Sequence, residues 1–211
     1  MQIRETEWKG VKNITNIILK LVILQTALFL WKQIVGLMFA HPGSFADKMI
    51  TMSGMMILTL AVVIYSRIRD IKIPFFPERF SRKYVIGTVC AVAFLIATPS
   101  NYSDGIRGPL LLVYASLVTP LYEELLFRGY IWTQLEDSCT SVKQIAWVNA
   151  VLFSVWHLGY IIESLIAGEW MALSKLAIGL VYGIILCFIR AKTRNCYSTF
   201  LVHGVLNAFL G

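Results

Sequence analysis

Residues 120–128 read Pro-Leu-Tyr-Glu-Glu-Leu-Leu-Phe-Arg, inside a stretch that is otherwise apolar enough to cross a membrane. A charged side chain at the centre of a bilayer costs about 3 kcal/mol on insertion scales, so it is kept only where it pairs or faces a polar cavity. Glu124 and Arg128 are four residues apart, and on a helix they meet on one face and neutralise each other. Glu123 points about 100° away from Glu124 and needs a partner from another helix. We therefore interpret Glu123 as the marker of a functional site.

Three more polar side chains stand in apolar stretches nearer the C-terminus: His157, and the pair His203 and Asn207, which share a helix face because they are four residues apart. At about 1.5 Å per residue, Glu123 lies roughly 20 Å from the external end of its predicted span and His157 roughly 18 Å from the cytoplasmic end of its own. His203 and Asn207 lie roughly 10 and 16 Å from that same side. We therefore predict that the four side chains share one layer of a bilayer that is about 30 Å thick.

These residue types together provide the groups needed for hydrolysis of a peptide bond. A carboxylate and an imidazole that share a water molecule form a general base. A second imidazole and an amide are hydrogen-bond donors suited to a developing oxyanion. No serine or cysteine nucleophile and no cofactor is required. Each group alone has a simpler explanation, because a single histidine or asparagine in a membrane helix usually bonds to a neighbouring helix.

The elements that position these groups are predicted to be membrane helices. The chain has 211 residues, of which 57% are hydrophobic and 15% charged, with a mean hydropathy of +0.69. Soluble domains contain about 45–50% apolar and about 25% charged residues. We predict an all-α, polytopic membrane bundle that forms a single domain over residues 1–211. A span needs about 20 apolar residues, and about seven candidates fit: 15–39, 49–66, 84–99, 109–135, 145–166, 173–190 and 196–210.

The distribution of basic residues predicts the orientation of the bundle. The segments 67–83 and 190–194 are rich in lysine and arginine, so we expect both to be cytoplasmic. The segments near 41–48, 100–108 and 163–172 carry few basic residues and are expected outside, which places the N-terminus inside and the C-terminus outside. The formal net charge of +7 is explained by this asymmetry, so the lipid bilayer is an expected partner and nucleic acid is not.

The targeting and cysteine signals agree with a membrane protein of this kind. The chain opens with no short apolar region followed by a small-residue cleavage site, so no signal peptide is predicted. A small chain of this type indicates a bacterial plasma-membrane protein. The four cysteines have neither zinc-site nor disulfide-framework spacing.

The motifs resemble a known family. Glu-Glu-x-x-x-Arg at 123–128, Phe-x-x-x-His at 153–157 and His-x-x-x-Asn at 203–207 are similar to those of the CAAX protease and bacteriocin-processing family of glutamate intramembrane proteases, also called Abi proteins. That family includes type II CAAX prenyl endopeptidases and bacterial members linked to peptide maturation and immunity. The resemblance covers about residues 110–210, which we expect to form the catalytic core.

The resemblance implies a role for each motif residue. Glu123 and His157 would activate the water, and His203 and Asn207 would stabilise the oxyanion. Arg128, paired with Glu124, would hold the catalytic helix in place. The expected substrate is a membrane-embedded or lipid-modified peptide or protein tail.

Three other functions remain open on the sequence. Glu123, His157 and His203 are also possible zinc ligands, although the His-Glu-x-x-His signature of zinc proteases is absent. The chain is alternatively a non-catalytic immunity or peptide-binding membrane protein. The third alternative is a proton-coupled transporter that relays protons through Glu123 and His157. Many transporters have two matching halves with broken helices, and no such halves are visible in the sequence.

Overall fold

The structure is a computed structural model that describes residues 2–39, 43–98 and 104–210. The described residues form helices and connecting loops, with no strand among them, so the predicted all-α fold is confirmed. The described residues contain eight helices in sequence order: α1 (Gln2–Met38), α2 (Ser44–Ile68), α3 (Arg82–Ala97), α4 (Arg107–Glu136), α5 (Val142–Trp156), α6 (Leu158–Ile166), α7 (Ser174–Thr193) and α8 (Cys196–Leu210). A short 3₁₀ turn, Trp170–Leu173, precedes α7.

Five segments of the described chain are long and apolar enough to cross a membrane: Lys12–Met38, Ser44–Ile68, Arg107–Glu136, Val142–Ile162 and Trp170–Thr193. They coincide with five of the predicted spans, and a polytopic membrane bundle is confirmed. The other two predicted spans correspond to α3 and α8, which have 16 and 15 residues. A straight helix of that length falls short of the hydrocarbon thickness. The count of seven spans therefore stays a prediction. Residues 41–42 and 100–103 of the predicted external loops lie outside the described residues.

The fifth predicted span is two helices, and not one continuous helix. α5 ends at Trp156, α6 begins at Leu158, and His157 forms the turn between them. The His157 imidazole Nδ1 lies 2.8 Å from the carbonyl oxygen of Phe153, and backbone bonds tighten around the turn, with His157 N 3.1 Å from Ser154 O and Tyr160 N 3.0 Å from His157 O. A side chain that occupies a backbone acceptor competes with the helical ladder. The imidazole therefore helps to end α5.

α4 is the central helix of the bundle, and α2, α5 and α8 all pack against it. Its second half is buried: every residue from Tyr122 to Trp132 is shielded from solvent. Large apolar side chains on the outer helices are exposed, including Leu37, Met38 and Ile166. An apolar exterior around a core that carries charged residues suits a protein whose solvent is lipid.

The segment between α2 and α3 is tied to the start of α8. The backbone N–H groups of Cys196 and Tyr197 donate to the carbonyl oxygens of Pro74 and Phe75, at 3.0 and 2.8 Å. The ring of Phe75 packs against the rings of Tyr197 and Phe200. These contacts fix the N-terminal end of α8, the helix that carries His203 and Asn207.

Candidate active site

α4 changes its winding twice around the Glu-Glu pair. Tyr114–Val118 and Leu125–Ile131 are π-helical, and the α-helical turn Thr119–Glu124 lies between them. Pro120 lies inside α4, just after the first π-helical segment, where its missing N–H removes one backbone hydrogen bond. π turns re-aim side chains and occur often at functional sites. The two carboxylates are therefore presented by a short regular turn between two wider ones.

Glu124 forms the centre of a buried ionic cluster. Its Oε1 lies 3.1 Å from Arg128 Nη1 and 2.8 Å from His203 Nδ1, and all three side chains are buried. The pair formed by Glu124 and Arg128 is the one that the spacing predicts. Because a carboxylate paired with arginine only accepts hydrogen bonds, Nδ1 of His203 is the donor in the second contact. Glu124 thereby fixes the orientation of the imidazole, and Nε2 is left to face the other carboxylate.

Glu123 faces α6 and α8. Its Oε2 lies 3.7 Å from His203 Nε2, and its Oε1 accepts a hydrogen bond from the Tyr160 hydroxyl at 3.4 Å. The Tyr160 hydroxyl itself accepts from Trp156 Nε1 at 2.9 Å. Only 2% of the Glu123 surface is exposed. Glu123 thus has partners on two other helices, Tyr160 on α6 and His203 on α8.

His157 lies beside this cluster without joining it directly. Its Nδ1 faces the Phe153 carbonyl, which only accepts hydrogen bonds, so Nδ1 carries a proton and Nε2 is on the opposite side of the ring. The ring packs against Tyr160, with centroids 5.9 Å apart. It also lies against Gly179, where an added Cβ would come 3.1 Å from Nδ1. Among the described residues, Tyr160 and His203 contact the Glu123 carboxylate, and the His157 ring packs against Tyr160.

Asn207 reaches the same helix one turn further along α8. Its Nδ2 donates to the carbonyl oxygen of Ala115 at 2.9 Å, inside the first π-helical segment. His203 and Asn207 therefore share the helix face that the spacing predicts, and both point at α4. The amide has a second N–H that this contact leaves free.

A glycine allows α8 to come this close to α4. A Cβ added to Gly204 would lie 2.4 Å from the backbone carbonyl oxygen of Ser116. No side chain fits at that distance, and small residues are what allow membrane helices to approach so closely. Because Gly204 follows His203, the close contact sets the position of the imidazole.

Two polar residues that the sequence analysis did not place at the site support the second π-helical segment. Asn149 Nδ2 donates to the Phe127 carbonyl at 2.7 Å, and Arg190 Nε donates to the Arg128 carbonyl at 2.9 Å. Arg190 is 5% exposed and lies over the Trp132 ring at 5.2 Å. Its basic neighbours near residues 190–194 made it look like part of a cytoplasmic turn. The usable signal was its position in the last turn of an apolar helix, and the signal for Asn149 was an amide within a predicted span.

Arg128 is held on both sides of its guanidinium group. Its Cζ lies 4.1 Å from the centroid of the Phe153 ring, and Nη2 lies 3.4 Å from the carbonyl oxygen of Gly183. A Cβ added to Gly183 would come 3.0 Å from the backbone of Ala150, so α5 and α7 are in close contact there. Phenylalanine of the Phe-x-x-x-His motif thus forms a cation–π contact with the arginine of the first motif.

Within the part of the chain that the structure describes, no three His, Cys, Asp or Glu side chains are arranged to share a metal ion.

Comparison with known proteins gives a family match over the region that contains the three motifs. The family model described as type II CAAX prenyl endopeptidase, Rce1-like, matches residues 106–209. The UPF0177 protein YxdF of Lactococcus lactis subsp. lactis is 30% identical over 95 residues, which is 45% of this chain and 45% of that protein. The chain thus aligns with less than half the length of this relative. No solved structure matches the chain.

Proposed function

Residues 106–209 belong to the Rce1-like family of type II CAAX prenyl endopeptidases, and from that premise we propose that the chain is an intramembrane endopeptidase. Its substrate is a membrane-embedded or lipid-modified peptide or protein tail, and it acts in a bacterial plasma membrane. One observation carries the proposal: within a membrane helix, the buried Glu123 carboxylate lies 3.7 Å from His203 Nε2 and 3.4 Å from the Tyr160 hydroxyl. A carboxylate inside the membrane whose partners are a hydroxyl and an imidazole is suited to proton transfer.

The charges of the cluster support this role for Glu123. The two carboxylates are matched by two buried guanidinium groups, since Arg190 donates to the Arg128 carbonyl. Because these cations offset the cost of burying charge, Glu123 can be ionised in the site and act as the base. The proposed oxyanion role of His203 requires a proton on Nε2, which faces Glu123, in addition to the Nδ1–H that donates to Glu124.

The reaction follows from these positions. Glu123 takes one proton from a water molecule as the water oxygen bonds to the carbonyl carbon of the substrate. The lone pair on His157 Nε2 accepts a hydrogen bond from the other O–H of the same water. The carbonyl electrons move to the oxygen, where His203 Nε2–H and the free N–H of Asn207 stabilise the negative charge. Glu123 then gives its proton to the departing amine as the C–N bond breaks. The second water proton passes from the new carboxylic acid to His157 Nε2, so the products are a carboxylate and an amine, and no covalent intermediate forms with the protein.

The test uses purified protein in nanodiscs and an internally quenched peptide that ends in Cys-aliphatic-aliphatic-Met, with and without a farnesyl group on the cysteine. Glu136→Gln is a matched control, because Glu136 is an exposed carboxylate on the same helix. We expect Glu123→Gln to abolish cleavage and Glu136→Gln to retain it. If only the farnesylated peptide is cleaved, the substrate class includes prenylated tails. If the wild type cleaves neither peptide, or Glu123→Gln cleaves as well as the wild type, the proposal is wrong.

A further inference from the structure

We propose that a groove between α1, α2 and α4 binds the free carboxylate at the end of the substrate tail, and that the Lys20 ammonium receives it. The inference rests on the proposed endopeptidase function and adds a determinant of its specificity.

The groove is an apolar cavity of about 350 Å³, a size within the range of ligand pockets. α1 and α2 contribute Ile23, Leu24, Ala61 and Val62, and α4 contributes Leu126. Lys20, Tyr65 and Tyr130 complete the lining. An aliphatic peptide tail fits these walls, and the polar end of the groove is cationic.

Lys20 is a half-buried cation inside a membrane-spanning segment. It lies eight residues into the span Lys12–Met38, about 12 Å along the helix axis. Its Nζ donates to the Tyr130 hydroxyl at 2.6 Å and lies over the Tyr65 and Tyr130 rings, 5.6 and 5.3 Å from their centroids. Among the described residues no carboxylate forms an ion pair with it. Ring faces offset part of the cost of this charge, and a ligand carboxylate would neutralise it with a charge-assisted hydrogen bond.

The register of the helices places the groove beside the candidate active site. α1 runs antiparallel to α4, since Asn13 bonds to the Gln134 carbonyl and Lys20, seven residues further along α1, bonds to Tyr130. Further along α1, the Gln25 side chain packs against Gly159, which precedes Tyr160. Glu123 and Tyr130 are seven residues apart on α4, about 10 Å along the axis.

That separation matches the reach of a short peptide. An extended chain spans about 3.3–3.6 Å per residue. A carboxylate at Lys20 therefore leaves about two to four residues between the terminus and a bond held near Glu123. The depth of Lys20 and the wall formed by the catalytic helix favour a peptide tail over the headgroup of a phospholipid, which would have to sink about 12 Å into the span.

The test compares two peptides of identical sequence in phosphatidylcholine nanodiscs, one with a free C-terminal carboxylate and one with a C-terminal amide. For the wild type, we expect KM for the amide to be about 10- to 100-fold higher, the effect of one charge-assisted hydrogen bond. In Lys20→Met the ratio of the two KM values should fall to about one. Lys20→Arg should keep the preference, and so should Lys12→Met, which removes an exposed lysine from the same helix. Thermal unfolding of each variant reports whether it is folded.

Each outcome decides the proposal. Equal KM values in the wild type overturn it even if Lys20→Met does not fold, and so does a preference that persists in a folded Lys20→Met. If phosphatidylglycerol stimulates the wild type but not Lys20→Met, and the preference persists, Lys20 binds a lipid headgroup and the proposal is wrong. Fluorescence anisotropy with Glu123→Gln separates this idea from the proposed function, because it measures binding of both peptides without turnover. Tighter, Lys20-dependent binding of the carboxylate peptide, with no cleavage by the wild type, would support the groove and refute the endopeptidase.

Discussion

Glu123 and Glu124 are neighbours in the chain but have different partners. Glu124 is bonded to Arg128 and His203, whereas Glu123 is near the Tyr160 hydroxyl and the second nitrogen of His203. One carboxylate is thus neutralised by a fixed cation, and the other has partners that can exchange a proton. At the scale of single residues, the site depends on this asymmetry.

The asymmetry predicts different losses at the two positions. Glu123→Gln should abolish turnover while the protein still accumulates in the membrane, because no fixed ion pair is broken. Glu124→Ala should reduce folded yield and lower stability by about 3–5 kcal/mol, because it leaves Arg128 buried without its counter-charge. Yield after size-exclusion chromatography and the thermal midpoint in detergent measure both effects. Equal stability losses at the two positions would contradict the different roles.

Tyr160 is predicted to position Glu123. Tyr160→Phe removes the hydroxyl that donates to Glu123 while keeping the ring against His157. One hydrogen bond to a charged group contributes about 1.5–3 kcal/mol, so kcat should fall about 10- to 100-fold with little change in KM. Tyr197→Phe removes a hydroxyl that bonds to Thr88, and as the control it should leave kcat near the wild-type value. A rise in KM with unchanged kcat would show that Tyr160 binds substrate instead.

At the scale of the helices, contact between α4 and α8 brings the motifs together. The contact depends on Gly204, and the π-helical segments of α4 turn its side chains and carbonyl groups toward α5, α7 and α8. Asn149 and Arg190 donate to carbonyl groups of the second π-helical segment. The helices therefore hold the site through backbone groups as well as through the motif side chains.

Gly204→Ala tests this contact. Its Cβ would meet the Ser116 carbonyl at 2.4 Å, so α8 must move away and the bond between His203 and Glu124 must lengthen. We expect a loss of about 1–3 kcal/mol in stability and a large fall in kcat. Gly87→Ala on α3 is the matched control, since nothing lies within 4 Å of its Cβ, and it should stabilise the helix by up to about 1 kcal/mol. Thermal midpoints and cleavage rates of both variants check the expectation, and a fully active Gly204→Ala would contradict it.

At the scale of the whole molecule, the positive-inside rule predicts an orientation. Lys72, in the basic segment after α2, should face the cytoplasm, and Glu169, between α6 and α7, should face outward. Both side chains are exposed. In intact bacterial cells, a membrane-impermeant maleimide should label Glu169→Cys and not Lys72→Cys, with the parent chain as the background control. The reverse pattern would invert the proposed topology.

The whole protein is also predicted to work without a metal ion. In the proposed reaction Glu123 activates the water, and His203 and Asn207 stabilise the oxyanion. EDTA and 1,10-phenanthroline should therefore leave turnover unchanged. Elemental analysis of the purified protein should show no stoichiometric zinc. Loss of activity on chelation, with recovery on addition of zinc, would make His203 a ligand and end its oxyanion role.

The sequence by itself determined the class of protein and the local part of the site. Hydropathy and length predict the membrane helices because insertion into lipid depends on the length and the apolar composition of a single segment. The pair formed by Glu124 and Arg128, and the shared face of His203 and Asn207, follow from helical periodicity within one element. Five of the predicted spans and the all-helical fold are confirmed for that reason.

Only the tertiary structure decided which groups meet across helices. The contact between His203 and Glu124 joins residues 79 positions apart, and Tyr160, on the helix that begins after His157, donates to the Glu123 carboxylate. Arg190 is buried under α4 although its basic neighbours suggested an exposed turn. These features depend on how close two helices come and on where their winding changes. Both are set by packing against other elements, so no pattern within a single segment of the sequence encodes them.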